Sequence, residues 1–302
     1  MHHERDAGQV AKKPVELSSG TGTGTATLPL SATVPGDRVT PNRLLLAFLG
    51  AYVLDQNRYH VSARVIIDVM GYLGVNEGTT RTTLNRMVRT GLLDRSQNGR
   101  TASFGMTDRA EQILREGGTR VTSRSPFTHP DDEWTLLSYS IPETRRELRN
   151  KLRAQLLWAG FGRLRDGLWI APGQVDAHEI LSSIDADDAT AVAFTGRPTG
   201  GVPPEQFVRA AWDLDSIKAH HMVFLKRWRP AGHPANPVAS YTALIADWLE
   251  LLRHDPGLPT QYLPPDWPAH ESAAVYHDAA DRLAPPAQDM LDRMIASGAN
   301  RR

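Results

Sequence analysis

The sequence predicts an α+β chain of several domains: a helix-rich N-terminal module that includes a hairpin, a central module that alternates strands and helices, and a mostly helical C-terminal third. Three observations carry that expectation. Segments with apolar residues at offsets of three and four crowd both ends of the chain. Strand-like runs flank Asn98-Gly99 and Asp166-Gly167, dipeptides suited to tight turns. Polar stretches at 1–38 and 119–132 bracket the first block, and 302 residues suffice for more than one core. The expected divisions are a tail (1–38), a first domain (39–118), a linker (119–132), a central domain (133–202) and a helical domain (203–302).

Residues 1–38 are rich in Gly, Thr, Ser and Pro with few large apolar side chains, so they read as a disordered tail. The Gly20–Gly24 tract lies in that tail, not between a strand and a helix, and so is no phosphate loop. Thr40-Pro41 starts a helix that Leu44, Leu45, Phe48 and Tyr52 carry to about Leu54. Ser62 caps a second helix through Val65, Ile66, Val69, Met70 and Leu73. Gly74–Glu77 forms the turn into a third, Thr79–Arg89, whose apolar stripe is Leu84, Met87 and Val88. Gly91 suits the left-handed turn that ends a helix. After the hairpin about Asn98-Gly99, Thr107 caps a fourth helix that should stop at Gly117-Gly118. Three helices, a hairpin and a helix is the order of a winged helix-turn-helix.

The outward side of the third helix carries Thr79, Arg81, Thr82, Asn85, Arg86 and Arg89, with no acid among them. Arg pairs bidentately with guanine and Asn with adenine, so Arg81, Thr82, Asn85 and Arg86 are the expected base readers. Thr79, Arg89, Asn98 and Arg100 are expected on backbone phosphates. A basic helix face is usually just solvated, but the charge distribution favours binding here. Net charge is zero over the chain, yet residues 40–120 hold 11 Arg and no Lys against 7 acids, whereas 121–302 hold 19 basic and 23 acidic residues.

In the central block Trp134–Ile141 reads as a buried strand, and Pro142-Glu143 opens a helix with Leu148, Leu152 and Leu156 inside. Gly160–Pro172 makes two strands about Asp166-Gly167, Val175–Ile184 a helical piece and Ala189–Thr195 a last strand. That is the ferredoxin-like order. Arg145, Arg149 and Arg153 share one helix face at i, i+4, i+8; it reads either as solvated or as a patch for phosphates or an effector. Beyond Pro204 two amphipathic helices, a Pro-rich crossing and a last helix from about Glu271 to Arg282 follow. Trp212, Trp228, Trp248 and Trp267 suit a core or an apolar ligand, core being the ordinary explanation for each.

These stretches together resemble the PaaX family of transcriptional regulators. Gly74–Leu93 (GVNEGTTRTTLNRMVRTGLL) places Asn76, Arg81, Arg86 and Gly91 on the family pattern, and Phe104–Ala110 resembles the exit from its hairpin. Trp134–Arg149, Gly160–Pro172, Ala210–Asp215 and Arg253–Pro268 resemble its central and closing motifs. The resemblance implies a cytoplasmic, non-enzymatic, ligand-responsive repressor that binds an inverted-repeat operator in double-stranded DNA as a homodimer. A small-molecule inducer, an acyl-CoA or an aromatic metabolite, is the expected effector, with no cofactor. The central block is also similar to CRISPR spacer-acquisition nucleases, which rely on an acid at the end of the first strand. Here Ser138–Pro142 holds no carboxylate and Asp131, Asp132 and Glu133 precede the strand, so a metal-dependent nuclease is the disfavoured alternative and a protein-interaction scaffold a third.

Other chemistry finds little support. There is no cysteine, hence no disulfide or thiolate, and no apolar run nears the roughly 20 residues of a membrane span. The N-terminus shows no secretory h-region. His220, His221, His233, His254 and His277 make no H-x-x-x-H or H-E-x-x-H, so no metal site is expected. G-x-S-x-G, G-x-G-x-x-G and G-x-x-x-x-G-K-[ST] are all absent.

Overall fold

The computed structural model describes residues 40–54, 60–98, 101–128, 133–182, 190–230 and 236–299; the expected tail, Gly99, Arg100, Asp131, Asp132 and His233 lie outside the described residues. The fold is mixed α/β with two antiparallel sheets.

Helix α1 (Pro41–Tyr52) starts after Thr40 with proline in its first turn. Strand β1 (Val61–Ser62) leads into α2 (Ala63–Tyr72), where Ser62 Oγ accepts from the Val65 N–H at 3.4 Å. Helix α3 (Glu77–Arg89) begins two residues before its predicted start. Asn76 Oδ1 accepts from the Thr79 N–H at 2.8 Å, so Asn76 is the cap and Glu77 belongs to the helix, not to the turn. Gly91 adopts φ +70° and releases the chain into β2 (Leu93–Asn98). Strand β3 (Thr101–Met106) pairs with it antiparallel, Leu93 opposite Met106, and β1 joins the far edge of β3.

Helix α4 (Asp108–Thr122) is capped by Thr107 as expected, but it does not stop at Gly117-Gly118. Each glycine disfavours a helix by about 1 kcal/mol. Tertiary bonds offset this: Arg120 donates to the carbonyls of Leu252 (2.7 Å), Asp255 (2.5 Å) and Pro126 (3.1 Å), and Trp248 Nε1 donates to Val121 O. Burial lowers the Arg120 pKa from its ordinary value.

The central sheet comprises β4 (Trp134–Ser140), β5 (Gly162–Arg165), β6 (Leu168–Pro172) and β7 (Thr190–Gly196) in the order β5-β6-β4-β7. Its helices are α5 (Arg146–Trp158), which starts later than Glu143, and the short α6 (Ala177–Ser182). Strand alternation sends Leu137, Trp169 and Ala171 to one face, under Leu148, Leu152 and Leu156 of α5. Trp134 and Ile170 point to the other face, where Val208 of α7 (Pro204–Ala211) and Leu214 and Ile217 of α8 (Leu214–Trp228) cover them. Trp212 lies so close over Gly162 that a Cβ there would stand 2.5 Å from the indole.

Helix α9 (Pro237–His254), a 3-10 turn (Thr260–Tyr262) and α10 (Ala269–Ala299) complete the chain. Helix α10 corrects the expected end at Arg282, running on through Pro285 and Pro286. An interior proline costs a helix about 3 kcal/mol. The continuation holds because Leu283, Ala287 and Leu291, four apart, are buried in the main core. That core joins Leu45, Phe48 and Leu84 of α1 and α3 to Phe224, Leu244, Trp248 and Tyr276 of α8, α9 and α10. The predicted segments 39–118 and 203–302 therefore share one interior. Tyr52 Oη donates to Val238 O at 3.2 Å across it, and burial raises the Tyr52 pKa. Trp228 and Trp248 are core residues, Trp212 and Trp267 half-buried.

One polar cluster within the C-terminal helices was invisible in sequence. His221 Nε2 lies 2.7 Å from Asp255 Oδ2, and its Nδ1 lies 2.8 Å from Ser272 Oγ. All three are at most 1% exposed. They meet from α8, the end of α9 and the start of α10, and their depth gives the trio a structural role in fastening these helices together.

Candidate nucleic-acid interface

Helix α3 sorts its residues by spacing. Thr80, Thr83, Leu84 and Met87 turn inward and are buried. The complementary positions Thr79, Arg81, Thr82, Asn85, Arg86 and Arg89 are all exposed, so nothing else in the described chain covers this surface. The side chains of Asn85, Arg86 and Arg89 make no hydrogen bond or ion pair among the described residues.

Three details go beyond the sequence expectation. Glu77 lies within reach of the exposed face, where its Oε1 accepts from Arg81 Nε at 2.7 Å and stands 2.7 Å from Arg81 Nη2 as an ion pair. The surface therefore carries one acid, which the shorter predicted helix had omitted. Thr82 Oγ1 donates to Gly78 O at 2.9 Å, so its proton is engaged and it offers outward only oxygen lone pairs and a methyl group. In the hairpin Arg95 is exposed, a cation on β2 that sequence reasoning overlooked. Its neighbour Asp94 lies 3.2 Å from His60 Nε2. The backbone of Asn98 lies in β2; its side chain and the whole of Arg100 are outside the described residues.

The second expected cluster, Arg145, Arg149 and Arg153, runs from the N-cap of α5 into its first turns, where the Arg149 N–H donates to Arg145 O at 3.1 Å. Arg145 precedes α5 and, with Arg146 and Lys151, lines an open depression of about 480 Å³. Arg149 Nη2 donates to Ile141 O at 3.1 Å, and the buried Nε of Arg153 has no partner among the described residues.

Three family models match the chain in order: PaaX-like protein over 40–110, PaaX protein central Cas2-like domain over 128–208, and PaaX-like protein C-terminal domain over 212–293. The chain belongs to the PaaX family. Its α3 lies wholly within the first match, and its central sheet module is Cas2-like. This PaaX-family chain is 26% identical over 230 residues to the Transcriptional repressor PaaX of Escherichia coli (strain K12), covering 71% of this chain and 72% of that protein. The uncharacterized protein Rv0674 from Mycobacterium tuberculosis is similar in structure, with 25% identity, a TM-score of 0.54, and coverage of 84% of this chain and 99% of that one.

Proposed function

We propose that this PaaX-family chain is a DNA-binding transcriptional repressor whose α3 enters the major groove. The single observation that carries the reading is the uncovered outer side of α3, with Arg86 and Arg89 unpaired among the described residues. The order α1, α2, α3, β2, β3, α4 supports a winged helix-turn-helix, in which the hairpin lies against the backbone. The sheet order β5-β6-β4-β7, with α5 and α6 packed on one face, supports a ferredoxin-like centre. Arg81, Thr82, Asn85 and Arg86 read base edges in this account, while Thr79, Arg89, Asn98 and Arg100 hold phosphates. The similarity to the Escherichia coli repressor supports the direction of regulation. Two copies on an inverted repeat match how such modules space their recognition helices. A small acyl-CoA or aromatic effector fits the extent of chain beyond the DNA module, and it regulates only if it binds the two states unequally. Arg145, with Arg146 and Lys151, lines the depression that would take such an anion, beside Glu147.

The test is selection of duplexes from a randomised pool by the full chain, followed by gel retardation with and without a divalent cation. Enrichment of one inverted repeat, retarded and uncleaved, supports the repressor. Cleavage would move the assignment to a nuclease, and absence of any DNA preference to a scaffold.

A further inference from the structure

A guanidinium has two hydrogen-bonding edges: a side edge formed by Nε and one Nη, and an end edge formed by both Nη groups. In Arg81 the side edge faces Glu77: Nε donates to Glu77 Oε1 at 2.7 Å, and Nη2 stands 2.7 Å from the same oxygen as an ion pair. The end edge remains for an outside acceptor, and it is the fork that pairs with O6 and N7 of guanine. Glu77 and Arg81 are four residues apart on α3, so the helix itself sets the pair's geometry. Both side chains are more than half exposed, so the pair adds little to folding. Binding in the groove would strip it of water, and its effect should then be felt.

We propose that Glu77 is a positioning residue for Arg81: its carboxylate fixes the guanidinium by the side edge and aims the end edge at a guanine. The proposal rests on the DNA-binding reading above and deepens it by naming a specificity determinant. The held arginine loses less side-chain freedom on binding. The same carboxylate also repels phosphates, so it restrains indiscriminate attachment to any duplex. An acid in the first turn also favours a helix through its dipole. That plain structural role predicts a lower Tm and equal weakening on every sequence.

The probes are the duplex that the full chain enriches from a randomised pool and a scrambled duplex of equal length. Glu77→Ala should raise affinity for the scrambled duplex by about twofold to fivefold. It should also cut discrimination at one guanine position by about tenfold. Glu77→Gln keeps an acceptor oxygen without the charge, so it should gain non-specific affinity yet retain most of the discrimination. In an Arg81→Ala background, Glu77→Ala should change base preference no further, since the effect passes through Arg81. Unchanged discrimination in Glu77→Ala, or an equal loss with Arg81 already removed, overturns the proposal. If the full chain enriches no sequence at all, the DNA-binding reading fails first, and the two failures are distinguishable.

Discussion

Arg86 and Arg89 occupy the same exposed side of α3, yet the proposed complex gives them different tasks. Arg86 should face base edges and Arg89 the backbone. Arg86→Ala is expected to cost about 1–3 kcal/mol on the selected duplex and to relax preference at one position. Arg89→Ala should weaken all sequences alike and lower the slope of log affinity against log salt by about 1. Titrations at several salt concentrations on selected and scrambled duplexes check both. Identical behaviour of the two variants would show that the face is assigned wrongly. This surface was legible in sequence because inward and outward positions follow from the spacing of Leu84 and Met87 alone. The Glu77–Arg81 pair was not, since it depends on where the helix begins, and only the bond from the Thr79 N–H to Asn76 Oδ1 fixes that. The engaged hydroxyl of Thr82 was equally hidden, because a threonine's proton goes wherever its rotamer sends it.

Among the elements, those with local signals were read and those held by distant partners were not. Ser62 and Thr107 cap helices as their sequence positions suggest, and Gly91 turns the chain where a left-handed residue is needed. Helix α4 overruns its glycines because Arg120 and Val121 bond to residues more than 100 positions away, which no local rule detects. The last helix α10 overruns Pro285 and Pro286 because its buried stripe outweighs the missing bonds. Both prolines are exposed, so their replacement fills no packed space. Pro286→Ala restores a helical N–H and is expected to stabilise the chain by about 1–3 kcal/mol. Thermal unfolding should show a higher Tm. A lower one would mean that the backbone shape these prolines impose is itself required for packing, for example to seat Leu291.

At the scale of the whole molecule, the C-terminal helices pack against both the N-terminal module that carries α3 and the central sheet. Helix α8 puts Leu214 and Ile217 against the sheet at one end and Phe224 and Trp228 into the main core at the other. Arg43 of α1 reaches Glu250 of α9 at 2.5 Å, and Tyr52 reaches Val238. The C-terminal helices therefore meet the module that carries α3 through packed side chains, the route that the proposed effector control would use. The arrangement makes a severe demand on the isolated N-terminal segment. Residues 40–128 alone would expose Leu45, Phe48, Tyr52 and Phe127 where the full chain packs them in a core shared with α8–α10. Full burial of such side chains contributes about 1.5–3 kcal/mol each, against a net stability of about 5–15 kcal/mol for a domain. The fragment should thus lack a cooperative thermal transition by circular dichroism and should not retard the selected duplex. Supplying residues 204–299 as a separate chain should restore part of both signals. A fragment that melts cooperatively near the Tm of the full chain would show that the shared core adds little, and would leave the helices α8–α10 without a mechanical route to α3.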